Sequence, residues 1–186
     1  FGWAEGRARE SWSLAGHTGR GTSRGIYLQF FCLKRTCAMQ YPAVLNPAEV
    51  GNYTASCFSG GGFVWDAVLE YRVWCHPERG APDEADGNDY FYAFETFEEA
   101  DAFYRATMGA EEPLALVLQR EYIDEDEPGC YVHVREQRIT EWPVEFLSRP
   151  RRDDGTIPDF LAPDAPPNRL EVLRGLAPRA RRTSPP

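Results

Sequence analysis

The stretch YRVWCHPERG, residues 71 to 80, sets a tryptophan, a cysteine and a histidine side by side where an alternating pattern gives out. Thiols and imidazoles are nucleophiles, general bases and metal ligands, and Cys130 and His133 repeat the pairing later in the chain. Together Cys75, His76, Cys130 and His133 supply the ligand types of a structural zinc site. Strand geometry opposes that reading. Neighbours, and residues three apart, point to opposite faces of a strand, so neither pair converges on one ion without a bulge, and no metal is expected. Cys75 keeps phase with Leu69, Tyr71 and Val73, which makes it a small buried apolar side chain rather than a reactive thiol.

A more coherent chemistry draws on Trp74, His76, His133 and Trp142, with Glu121 and Glu141 near enough in the layout to orient an imidazole. A histidine beside a carboxylate is a workable general base, and aromatic walls suit a small ligand. The pairing register of the strands is open at this level. If they carry these residues on two faces, the patch divides.

The elements that must position these groups follow from periodicity. Leu69, Tyr71, Val73 and Cys75 alternate with Glu70, Arg72, Trp74 and His76, the period of a half-buried strand. PERGAPDEADGN is an acidic loop, and DYFYAF at 89 to 94 is aromatic enough to return as a second strand. In TFEEADAFYRATMG, Thr96 with Glu99 forms a capping box, and Phe97, Ala100, Tyr104 and Met108 recur at helical spacing before Gly109. PLALVLQREYI at 113 to 123 is a third strand, DEDEPG a turn, CYVHVRE at 130 to 136 a fourth strand, and RITEWPVEFL at 138 to 147 a short edge piece suited by Pro143. The fold class is therefore α+β: a small antiparallel sheet, ordered strand, strand, helix, strand, strand and short edge strand, with one helix on one face. Neither DEADGNDY nor DEDEPG has the spacing of a calcium loop, so both read as solvated turns.

This domain is expected at 61 to 152, between a poorly structured extension at 1 to 60 and a Pro-rich tail at 153 to 186. Within the tail, Asn168 and Glu171 could cap a short helix in NRLEVLRGL. Residues 1 to 25 have a loop composition, and Met39 is a candidate start.

Charge narrows the function classes. The net charge of −9 divides into +3 over 1 to 60, −12 over 61 to 152 and zero over 153 to 186. An acidic middle repels phosphate backbones, so nucleic-acid binding is not expected there and is conceivable only for the basic ends. The apolar run IYLQFFCL at 26 to 33 is far shorter than the roughly 20 residues of a membrane span. Five cysteines without framework spacing read as reduced thiols, and a cytoplasmic location is expected.

From about residue 68 to 152 the chain resembles a family of short bacterial proteins commonly labelled GNAT-type acetyltransferases, through YRVWCHP, DYFYAFETFEEADAF, EEPLALVLQREYIDE and YVHVREQRITEWPVEFLSRPRR. The resemblance implies acyl transfer from acetyl-CoA, an N-acetyltransferase activity. Such enzymes grip the CoA pyrophosphate with a Gln/Arg-x-x-Gly-x-Gly/Ala loop opening a helix. The nearest match is Arg152 with Gly155, but Ile157 stands where the last small residue belongs. Without the loop, arginines such as Arg120 and Arg135 would have to hold the phosphates. The alternative is a non-catalytic module that binds a small ligand or a protein partner.

Overall fold

The alternation at 69 to 76 predicts a strand with one wet face, yet the segment is dry on both. In the structure, a computed structural model, residues 40–55 and 57–179 are described, all within one unit reaching from 39 to 186. The chain forms β1 (Phe58–Ser59), β2 (Ala67–Cys75), β3 (Tyr90–Phe94), α1 (Phe97–Ala106), β4 (Leu114–Gln119), β5 (Tyr122–Glu127), β6 (Cys130–Val134), β7 (Arg138–Pro143), α2 (Thr156–Leu161) and α3 (Arg169–Leu173). The apolar run at 26 to 33 and the loop-like first 25 residues lie outside the described region. Among the described residues no helix is long and apolar enough to cross a membrane.

The fold is α+β, built on a five-stranded sheet of order β1-β7-β4-β2-β3 beside a separate hairpin, β5-β6. All pairings in the large sheet are antiparallel except β1 with β7, so the sheet is mixed where an antiparallel one is expected. β2 pairs on both sides, and every residue of it except Trp74 is buried. A bulge between Val68 and Glu70 changes its phase. Leu69 therefore leaves the face of Tyr71 and Val73 and packs with Ala67, Leu116 and Leu118 on the other.

The helix face holds the main core: Val68, Tyr71, Val73, Ala115, Val117 and Trp142, closed by Ala100, Phe97 and Phe103 of α1. Thr96 caps α1 as its sequence foretells, accepting from the Glu99 N–H at 3.2 Å and donating to the Glu99 carboxylate at 2.9 Å. Met108 falls past the helix end and is 76% exposed, so the helical spacing that includes it runs one turn too far. Gly109 ends the loop in a positive-φ conformation, and a Cβ there would strike the Ala81 N–H and the His76 carbonyl.

Three expected elements differ. The run 113 to 123 breaks at Arg120 and Glu121 into β4 and β5, and most of DEDEPG is strand rather than turn. RITEWP is an interior strand, lying between β1 and β4, with Pro143 at its end where no ladder donor is needed. The structured region also extends beyond 61 to 152 on both sides. Val44 bridges to Val68 beneath α1, and the Tyr71 hydroxyl donates to the Pro42 carbonyl at 2.6 Å.

At the other end α2 and α3 bury Ile157, Phe160 and Leu173 against Val64 and Ile123, with Tyr122, Tyr131 and Leu170 around them. This second core is what the proline count at 153 to 186 conceals. Five- and six-residue helices are too short to display a helical period.

Candidate functional site

The sheet face opposite α1 carries the most concentrated charge. Arg72, fully buried, donates to Glu70 at 2.6 Å and to Glu141 at 2.9 Å, and to the Thr54 carbonyl at 2.9 Å. Its guanidinium also lies 4.2 Å from the centroid of the Phe91 ring. Glu70 accepts in turn from the Gly51 N–H at 2.7 Å, and the Trp74 indole N–H donates to Glu141 at 3.3 Å. The cluster ties down Gly51, Tyr53 and Thr54, and Tyr53 and Cys57 pack against Ala67, Leu69, Leu116 and Leu118. Cys57 lies against it at 3.7 Å from Arg72, its thiol pKa pushed up by burial and then by the Glu141 charge.

The expected aromatic-histidine patch does not assemble. Trp74 and Glu141 meet on the Arg72 face, whereas Trp142 points through the sheet into the main core and donates to the Gly61 carbonyl at 3.2 Å. Adjacent residues of β7 take opposite faces, which separates Glu141 from Trp142. His76 closes β2 from its end. Its Nδ1 lies 2.9 Å from Asp89 and its Nε2 3.1 Å from Glu111, although neither nitrogen is aligned for a good hydrogen bond. Both nitrogens thus face carboxylates of the flanking loops, and the ring is buried. Cys75 is buried, its thiol pKa raised by burial first. Among the described residues no group of His, Cys, Asp and Glu could hold a metal ion.

His133 of β6 and Glu121, just ahead of β5, do come together, at 2.7 Å. Glu121 also accepts from Arg152 at 2.5 Å, and Arg152 grips Asp66 through Nε at 2.9 Å and Nη2 at 2.7 Å. The Arg120 N–H completes the chain by donating to Asp66 at 2.7 Å. This line joins hairpin, main sheet and the segment that enters α2. It orients one imidazole nitrogen as a general base requires, but neither His133 nor Glu121 lines the cavity described next.

That cavity, about 460 Å³, opens among α2, α3 and the chain on either side of them. Phe160, Ala162, Pro166, Val172 and Leu173 form apolar wall, and Arg151, Asp153, Asp159, Asp164, Arg169 and Arg179 supply the charges. Arg179 bridges Asp153, at 2.8 Å, and Asp159. The Asp153 carboxyl titrates below its usual range, held there first by the Thr156 hydroxyl and also by Arg179. Arg169 donates to the Phe160 carbonyl at 3.2 Å and faces the rings of Tyr131 and Phe160. No residue of this cavity is among the sequence candidates. One i, i+3 apolar pair in each short helix, Ile157 with Phe160 and Leu170 with Leu173, is too little signal to single them out.

A CoA pyrophosphate finds little to hold it. α1 opens with Glu98 and Glu99, and ahead of α2 the Gly155 N–H is taken by Asp153 at 3.0 Å. Arg120 and Arg135 are exposed, and neither lines the cavity. The residues present do not fit the group. In comparisons with known proteins, no family model, no curated protein and no solved structure matches the chain.

Proposed function

We propose that this protein is a non-catalytic small-ligand-binding module of a reducing, cytoplasmic compartment, and that its site is the cavity beside α2 and α3. The observation that carries the reading is the cavity itself: about 460 Å³, within the range of small-molecule pockets, walled by Phe160, Val172 and Leu173 and rimmed by charge. The three described cysteines, Cys57, Cys75 and Cys130, are free thiols, in keeping with that compartment. The acidic surface argues against a nucleic-acid partner. Acyl transfer rests on the sequence resemblance alone and forms the second arm of the test.

The test is a thermal-shift screen of the full chain against small apolar and amphiphilic compounds. A ligand at about a hundred times its dissociation constant stabilises a fold by about 2.7 kcal/mol, which a melting curve resolves. Hits are expected to lose their shift in Val172→Trp and in Ala165→Trp, two separate ways of filling the cavity. Hits that persist in both variants, or a screen without hits, would overturn the reading. Acetyl-CoA is expected to give no shift. A shift that disappears in Arg120→Ala or Arg135→Ala would favour acyl transfer instead.

A further inference from the structure

The charges around the cavity are balanced in number but not all paired. Three arginines and three aspartates line it. Arg179 takes up Asp153 and Asp159, and Arg169 is directed at the Phe160 carbonyl and two rings. Arg151 and Asp164 remain: among the described residues neither makes a hydrogen bond or an ion pair, though both line the same cavity.

We propose that the cavity takes a small zwitterion with an apolar body, an apolar α-amino acid or a dipeptide of such residues, its carboxylate toward Arg151 and its ammonium toward Asp164. This rests on the ligand-binding reading above and names the chemistry it would take. A plain anion would meet three aspartates and a plain cation three arginines, with only one free partner each. A zwitterion answers both unpaired groups at once and adds no net charge to the lining. Phe160, Val172 and Leu173 then receive the side chain, and the volume suffices for a residue the size of leucine or phenylalanine with room for a second. A guanidinium is suited to the carboxylate because its paired N–H groups match both oxygens.

Calorimetric titration of the full-length protein decides the point with four probes: L-phenylalanine, 3-phenylpropanoate, which lacks the ammonium, phenethylamine, which lacks the carboxylate, and toluene, which lacks both. The amino acid is expected to bind tightest, with each single-charge probe about fivefold or more weaker. Arg151→Ala is expected to abolish the advantage of L-phenylalanine over phenethylamine while leaving phenethylamine binding unchanged, and Asp164→Ala to abolish its advantage over 3-phenylpropanoate. These variants lie on the exposed rim and leave the fold intact, which the unchanged affinity for toluene reports. Equal binding of all four probes, lost in Val172→Trp, would overturn the zwitterion and keep the cavity as a site for apolar molecules. Failure of every probe, toluene included, would overturn both.

Discussion

The buried face under Arg72 and the cavity under Arg179 are both built from arginines set between carboxylates, and they work in opposite ways. Around Arg72 the donors find carboxylate or carbonyl partners at 2.6 to 2.9 Å, Gly51, Tyr53 and Thr54 lie over them, and Glu70 and Arg72 are fully buried. Around Arg179 the pairs are partly exposed, one arginine and one aspartate stay unpaired, and there is open volume between apolar walls. Arginine and acid content therefore does not separate structural from binding clusters. Pairing does: the donors of the covered Arg72 are all engaged within the fold, whereas charge left unpaired beside a cavity is open to a partner.

The largest effect should come from breaking the saturated side. Arg72→Ala leaves Glu70 buried with the Gly51 N–H as its remaining partner, and a loss of about 3–5 kcal/mol in denaturant unfolding is expected. A loss below about 1 kcal/mol would show that water reaches the cluster, and the contrast with the cavity side would collapse.

Next in size is the second core. Ile157→Ala should cost about 2–3 kcal/mol, the lower part of the range for such truncations, because few buried residues surround it. Removing residues 153 to 186 altogether should be worse, since it bares Val64 and Ile123 and frees the hairpin that carries His133. An Ile157→Ala protein as stable as the parent would return this region to the status of a tail.

The smallest effect is one of pH. Asp153 has its carboxyl pKa lowered below 3.8 in the fold, so its contribution is fully present above that ordinary value and is lost as pH falls through the lower, folded one. Protonation removes the charge that Arg179 and the Gly155 N–H engage ahead of α2. Protection of the α2 amides, taken relative to the intrinsic exchange rate at each pH, should therefore fall below about pH 4, and less so in Asp153→Asn. No change across that range would mean that the Arg179 bridge contributes nothing there.

Much of the architecture was legible from local pattern. The capping box at Thr96 and Glu99 reads as a helix start because both partners lie within one turn, and the α+β class follows from elements that each announce themselves over five to ten residues. The pairing of His133 with Glu121 was also accessible, since a short hairpin brings near neighbours together. The interior place of RITEWP was not. Its pattern is that of a short edge strand, and only the parallel pairing with Phe58–Ser59, far away in the chain, puts it inside the sheet.

Side-chain direction marks the same division. Glu70 and Arg72 alternate with apolar residues and so resemble a wet face, but Gly51, Tyr53 and Thr54 cover them, and no local signal records a cover that arrives from elsewhere in the chain. The sequence by itself determined the start of helix α1, the strand from 69 to 75 and its return at 90 to 94, and the uneven distribution of charge along the chain. Tertiary structure alone decided that Trp142 and Glu141 part to opposite faces, that Arg72 is buried and saturated, and that the proline-rich end closes around a cavity. Each of those depends on burial and pairing between segments distant in sequence, which hydrophobic period and capping chemistry, acting over a few residues, do not encode.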